Sequence, residues 1–204
     1  MRKGLKPVLG LLGGLLWVGA AAATSLEVTV RDSAGQPLAG AVVVLESPAA
    51  RRAVQPLESA SIAQRGKAFV PSVLVVPRGT PVTFPNQDTV RHHVYSFSEP
   101  KRFELKLYLG TPAVPVVFDK AGVVVLGCNI HDDMVAWVVV TDTPYYGTTN
   151  ESGKVLLSGL PAGDYQLRVW HQRLRDGAPA AQQPHQVSAE PARTTVTLQG
   201  LEAP

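Results

Sequence analysis

Cysteine and methionine are scarce in this chain of 204 residues, which contains one Cys and two Met, one of them the initiator. A single cysteine excludes an internal disulfide, and its distance from the N-terminus excludes a lipid-bearing cysteine at an export cleavage site. Cys128 is therefore a buried inert thiol, a reactive thiol or a metal ligand. The non-initiator methionine, Met134, lies in the same short segment.

Sustained helical periodicity is also missing from the sequence. Seventeen prolines and eighteen glycines separate many short valine-rich runs, such as "VLVVP", "VPVVF" and "VAWVVV". Short runs at regular spacing, divided by turn residues, are typical of β-sandwiches and barrels. The sequence therefore predicts an all-β protein.

No apolar run is long enough to span a membrane. The longest, from Val8 to about Val18, follows Arg2, Lys3 and Lys6 and passes into a stretch of alanines, whereas a spanning helix needs about 20 apolar residues. This arrangement predicts a secretory signal peptide at 1–23, cleaved near Ala23. We expect a periplasmic or secreted protein without a membrane span after cleavage.

Net charge is absent from the predicted mature chain. Removing residues 1–23 takes away three basic residues and no acidic ones, which leaves 16 of each sign. The formal charge of +3 therefore belongs to the targeting segment, and nothing indicates a nucleic-acid partner.

Changes of sequence pattern divide the remaining chain into four parts. Two alternating strands separated by a Gly/Pro turn occupy 24–47, and the aperiodic stretch 48–60 is predicted to be a linker. Short strands fill 61–142. A further unit with its own turns fills 143–204, where His171 and His185 lack partner patterns and are expected at the surface.

The segment "CNIHDDM" places Cys128, His131 and Met134 at intervals of three. A thiolate and an imidazole bind soft or borderline metals, and two His, one Cys and a distant Met form a blue-copper site. Structural zinc sites prefer four Cys or His donors, so this set of residues favours copper over zinc. One tight loop cannot surround a metal, so the missing His must come from another strand, and "FPNQDTVRHHVYSFS" (84–98) offers His92 and His93. Neighbours on a strand point to opposite faces, so at most one of them is a ligand.

These motifs resemble those of the cupredoxins. The Cys-x₂-His-x₂-Met loop between two strands has the spacing of amicyanin, and "AFVPSVLVVPRGTPVTFPN" (68–86) is similar to the Phe-Val-Pro strand, Gly turn and Phe-x-Asn ending of plastocyanin. The similarity runs from about Ser61 to Asp142. It implies a Greek-key β-sandwich with the ligand loop between its last two strands, although the Asp pair within this loop departs from amicyanin.

The resemblance also implies residue roles. The copper ligands correspond to His92, Cys128, His131 and Met134, because the family's first His follows the Asn that ends the preceding strand by six residues. Side chains that brace the ligands would be His93, Asn86 and Asn129.

The two ends of the chain resemble another family. "VTVRDSAGQPLAGAVVVLE" and "TNESGKVLLSGLPAGDYQLRVW" are similar to strands of carboxypeptidase regulatory-like, transthyretin-like β-sandwiches. We therefore expect the cupredoxin unit to be inserted after the second strand of that sandwich. The whole chain is also similar to periplasmic proteins labelled methylamine utilization, which implies an electron-carrier setting.

We expect a blue copper protein with one type 1 copper ion. The protein would carry single electrons between redox partner proteins in the periplasm, and we do not expect it to be an enzyme. Two alternatives stay open. One is copper storage or delivery through the same residues. The other is an exported thiol enzyme similar to sortases, with Cys128 as nucleophile, His92 as base and Arg168 as oxyanion partner.

Overall fold

The computed structural model describes residues 23–175, 178 and 180–203. The predicted all-β class is confirmed: the described residues form seventeen strands and one short helix. The strands are β1 (Thr24–Arg31), β2 (Val42–Glu46), β3 (Ala60–Ser61), β4 (Ala63–Gln64), β5 (Phe69–Val70), β6 (Val73–Pro77), β7 (Thr80–Thr83), β8 (His92–Ser96), β9 (Phe103–Tyr108), β10 (Val116–Phe118), β11 (Gly122–Gly127), β12 (Val135–Thr141), β13 (Tyr146–Thr148), β14 (Lys154–Leu160), β15 (Gly163–Trp170), β16 (Ala181–Val187) and β17 (Ala192–Thr197); the helix is α1 (Pro48–Ala53).

The middle of the chain forms one β-sandwich. Its larger sheet has the strand order β6-β12-β11-β8-β9, and its smaller sheet has the order β10-β7-β3, with the hairpin β4-β5 beside it. Strand β6 pairs in parallel with β12, so an early strand of this segment lies next to its last strand. Alternate residues of β8, β11 and β12 point inward and build a core with Phe84, Phe118 and Ile62. Cys128 and Met134 belong to the same core.

The two ends of the chain pair with each other in a second sandwich, called the accessory sandwich below. One sheet has the order β14-β1-β17 and the other β13-β2-β15-β16. The first two strands of the chain therefore find all their neighbours among strands that follow the middle segment, as an insertion requires. The domain boundaries and the transthyretin-like assignment of this sandwich stay predictions.

The predicted linker 48–60 contains a helical turn, which its aperiodic sequence does not predict. The Ser47 Oγ accepts a hydrogen bond from the Ala50 amide, and Pro48 occupies the first turn, where its missing N–H costs nothing. Arg51 in this helix lies 3.6 Å from Asp142, which also pairs with Arg78 at 3.0 Å. Helix α1 is thereby held against the point where the middle sandwich ends.

The two sandwiches share an apolar contact. Val42 and Val44 on β2 are buried against Val139 on β12, and the indole rings of Trp137 and Trp170 lie 6.4 Å apart. This contact covers part of the outer face of the five-stranded sheet.

The predicted signal peptide lies, except for Ala23, outside the described residues and stays a prediction. Among the residues that the structure describes, no helix combines the length and the hydrophobicity that crossing a membrane requires.

Candidate metal centre

Three neighbouring strands bring the predicted ligands to one end of the middle sandwich. His92 begins β8, Cys128 follows the last residue of β11, and His131 and Met134 lie in the loop that leads into β12. Because β11 lies between β8 and β12, their ends meet there. One ligand atom from each of His92, Cys128 and His131 lies within 4.8 Å of the others.

The two histidines present unpartnered nitrogens. The Nδ1 atoms of His92 and His131 are both buried and have no hydrogen-bond partner, and the ring centroids lie 5.0 Å apart. Buried polar atoms are rarely left without a partner unless a ligand or ion supplies one. The two nitrogens are therefore available to a metal.

Burial distinguishes the four predicted ligands. His92, Cys128 and Met134 are 0%, 3% and 1% exposed, whereas His131 is half-buried. A buried thiol close to two imidazoles, with a buried thioether in the same core, suits a soft or borderline metal ion, and copper in particular. The residues present thus fit the group that the sequence predicts.

Asp88 fixes the orientation of His92 and was not singled out in the sequence. Its Oδ2 lies 2.8 Å from the Nε2 of His92, which leaves Nδ1 free. Its carboxylate also accepts hydrogen bonds from the amides of Gly66 and Lys67, at 2.6 and 2.9 Å. Hydrogen bonds from the Lys67 amide, followed by the His92 ring, lower the pKa of Asp88 to about 2. The carboxylate is therefore ionised at neutral pH and accepts a hydrogen bond from the Nε2–H of His92.

Asn86 holds the turn that carries Asp88 and His92. Its Nδ2 donates to the carbonyls of Val90 and Tyr108, at 2.8 and 2.9 Å, and its Oδ1 accepts from the Asp88 amide. Asn86 thus supports His92 through the backbone of this turn.

His93 points to the opposite face of β8 from His92 and contacts the ligand loop. Its Nδ1 lies 3.2 Å from the Nδ2 of Asn129, which is the residue after Cys128. Its Nε2 lies 3.1 Å from a carboxylate oxygen of Glu104 on β9. The structure therefore brings His93 and Asn129 together, two of the three side chains that the resemblance implies brace the ligands.

A polar pair lies on the strand next to His92, where Tyr108 of β9 pairs with it and is half-buried. The hydroxyl of Tyr108 donates to the Phe84 carbonyl at 2.7 Å and accepts from the fully buried Gln64 amide. Burial raises the pKa of Tyr108 to about 12, so the hydroxyl remains a donor at physiological pH.

The rim of the site carries apolar and charged side chains. Val90 and Ile130 are exposed hydrophobic residues, and Arg91 is exposed as well. Asp132 and Asp133 in the ligand loop are exposed. The half-buried ring of His131 thus lies among groups that a partner protein could contact.

Comparisons with known proteins find similarity to solved structures only. No protein-family profile matches the chain, and no curated protein matches it. Among solved structures, 82 chains match. One is the Cu-containing nitrite reductase NirK from Thermus scotoductus SA-01, with a TM-score of 0.39, 27% identity, and coverage of 43% of this chain and 23% of that chain.

Two smaller proteins align over nearly their whole length. A purple cupredoxin from Nitrosopumilus maritimus has a TM-score of 0.36 and 26% identity, and the alignment covers 40% of this chain and 99% of that one. A mutant of amicyanin, in its Cu(I) form, has a TM-score of 0.37 and 21% identity, with coverage of 48% and 98%. The neighbours therefore include cupredoxins, and neither of these two alignments spans more than half of the chain.

Proposed function

We propose that this protein binds one type 1 copper ion and carries single electrons between redox partners outside the cytoplasm. One observation supports the proposal above all others. A buried thiol and two imidazoles with unpartnered Nδ1 atoms converge within 4.8 Å, and Met134 is buried in the same core as the thiol. Copper, when bound, would supply a one-electron couple between its +1 and +2 states.

The residues around this group would keep the ligands in place in both redox states. Cys128 and Met134 are joined to strands β11 and β12, and His92 is fixed by Asp88. Ligands held by strands, packing and hydrogen bonds have little freedom to rearrange. A small rearrangement gives a small barrier to electron transfer.

Copper storage or delivery uses the same residues but is less well supported. A delivery site must hand its ion to a partner, which requires accessible ligands. Here His92, Cys128 and Met134 are almost completely buried, and only His131 reaches the surface. Burial favours movement of an electron over movement of the ion.

The thiol-enzyme alternative has less support still. Cys128 and His92 are close, as a nucleophile and base must be, but the thiol is 3% exposed and a substrate cannot reach it without rearrangement. Arg168 lies on β15 of the accessory sandwich, where its guanidinium donates to Glu46 at 3.0 Å. This alternative also leaves Met134 without a role.

The partners we propose are periplasmic redox proteins. The exposed Asp132 and Asp133 suit a basic group on the partner and the exposed Arg91 an acidic one, because complementary charges steer association. Export itself is tested by mass spectrometry of the periplasmic fraction. We expect a chain that begins near Thr24, and a soluble form that retains residues 1–23 would contradict export.

Two ligand variants test the copper proposal. Cys128→Ser should abolish the intense visible band, because that band is a thiolate-to-copper transition. Met134→Leu should keep the colour and raise the reduction potential, because Met is a weak axial ligand. Visible spectra and voltammetry of the Cu(II)-loaded variants measure both effects. Complete loss of copper from Met134→Leu would show that the axial role is wrong.

A further inference from the structure

A cavity of about 200 Å³ lies where the two sandwiches meet. On one wall Val44 of β2 pairs with Arg168 of β15, and their side chains share the outer face of the four-stranded sheet. On the other wall Val123 of β11 pairs with Val139 of β12, on the outer face of the five-stranded sheet. The cavity therefore exists only where the accessory sandwich and the middle sandwich contact each other.

Most of the cavity wall is apolar. Four valines and one indole ring line it: Val42, Val44, Val123, Val139 and Trp170. A closed apolar cavity of about 150 Å³ holds one benzene molecule in a protein interior. The volume here thus suits a single aromatic ring with a small substituent, and the Trp170 ring offers it an aromatic contact.

One side of the cavity is polar, and its charges are balanced. The Nη1 of Arg168 donates to the Glu46 carboxylate at 3.0 Å, and both residues line the cavity. A cationic ligand would be repelled by the guanidinium and an anionic ligand by the carboxylate. A neutral hydroxyl group fits this pair, because it can accept a hydrogen bond from Arg168 and donate one to Glu46.

Two buried polar atoms on lining residues lack partners. The Nε of Arg168 and the Oγ1 of Thr141 have no hydrogen-bond partner in the part of the chain that the structure describes. Both residues belong to the cavity wall. Buried polar atoms are rarely left in this state unless a water or a ligand completes them. The unmet hydrogen bonds point to an occupant with a polar end.

We propose that the cavity binds a small neutral phenol, with its ring between the valines and Trp170 and its hydroxyl group at the Arg168–Glu46 pair. The Arg168 side chain is 40% exposed, so the polar end of the cavity is the way in. A bound phenol would touch both sandwiches and would stabilise their contact.

This site is separate from the metal centre. The cavity reaches β11 at Gly122, the first residue of the strand, whereas Cys128 follows its last residue. A strand of this length spans about 20 Å. Binding of a phenol therefore does not depend on copper, and the proposal goes beyond the electron-carrier function.

Titration of the metal-free mature protein with 4-methylphenol tests the site. We expect saturable, single-site shifts of the backbone amide signals on both walls and of the Trp170 indole signal in nitrogen–proton correlation NMR spectra. Toluene, which lacks the hydroxyl group, should bind about ten-fold more weakly, because the polar end then gains no hydrogen bonds. Benzoate should also bind more weakly, because Glu46 repels it.

Two variants and one control locate the site. Val123→Phe should fill the cavity and abolish binding. Val125→Phe, two residues further along the same face of β11, adds the same ring outside the cavity and should leave binding unchanged. Glu46→Gln leaves the Arg168 charge uncompensated, so it should strengthen benzoate binding and weaken that of 4-methylphenol several-fold.

Each result bears on the proposal. Shifts that do not saturate, or that lie away from the two walls, would overturn it. Toluene binding as tightly as 4-methylphenol would remove the role of the hydroxyl group, and equal loss in Val123→Phe and Val125→Phe would remove the cavity as the site. If Val123→Phe does not fold, Glu46→Gln decides, and unchanged benzoate binding would contradict the polar end. All of these measurements are made without copper, so a negative result leaves the electron-carrier proposal standing.

Discussion

Asp88 fixes the ring of His92, one of the predicted copper ligands. It holds the Nε2 of His92 at 2.8 Å and is itself held by two backbone amides of the β4-β5 hairpin. Removing such a partner of a metal-bound histidine typically lowers metal affinity by about 10–100-fold. We predict a loss in this range for Asp88→Ala, measured by competitive Cu(II) titration. Asp119→Ala, which removes an exposed carboxylate of the same sandwich, is the control, and equal affinities for both variants would contradict the role of Asp88.

The adjacent histidines differ in what they touch. His92 offers a free buried Nδ1 to the metal, whereas the Nδ1 of His93 contacts Asn129. We predict that His92→Ala loses or bleaches the copper colour and that His93→Ala keeps a blue centre. Visible and electron-spin spectra of the two Cu(II)-titrated variants decide between them. A colourless His93→Ala beside a normal His92→Ala would reverse the assignment.

Between strands β8 and β11, Gly127 and Tyr95 fit together as a matched pair. Gly127→Ala would force its Cβ to within 2.7 Å of the tyrosine ring, and such overpacking typically costs about 1–3 kcal/mol. We predict a loss of unfolding free energy of this size for the metal-free protein, measured by denaturant titration. In a Tyr95→Leu background the alanine should cost much less. Equal costs in both backgrounds would show that the two residues are not coupled.

Local patterns in the sequence account for much of the fold and for the proximity of Cys128 and His131. Valine-rich runs and Gly/Pro turns predict the strands, and the spacing of Cys128, His131 and Met134 predicts the loop. The role of Asp88 could not be predicted, because it depends on a distant hairpin at residues 66–67. Similarly, His171 was expected at the surface but is buried, with its Nε2 3.1 Å from the Ala39 carbonyl. Contacts of this kind depend on pairing between remote segments, which one sequence does not reveal.

At the scale of the whole chain, the accessory sandwich is one unit, because strands from both ends of the chain pair within its sheets. Leu167 on β15 is buried in its core beside β1 and β2, and a Leu→Ala change in a core costs about 2–5 kcal/mol. We predict that Leu167→Ala speeds hydrogen exchange in β1 and β2 as well as in β15, and leaves β11 and β12 protected. Leu126→Ala in the middle core should do the converse. Unchanged exchange in β1 and β2 would contradict their dependence on the C-terminal strands.

The electron-carrier account is tested most directly by adding Cu(II) to the purified mature protein and recording its visible spectrum and voltammogram together. Convergence of Cys128, His92 and His131 predicts an intense thiolate-to-copper band at one equivalent of copper. Burial of the ligands predicts that the same ion remains bound through reversible one-electron reduction. A colourless complex, or loss of the ion on reduction, would contradict the account.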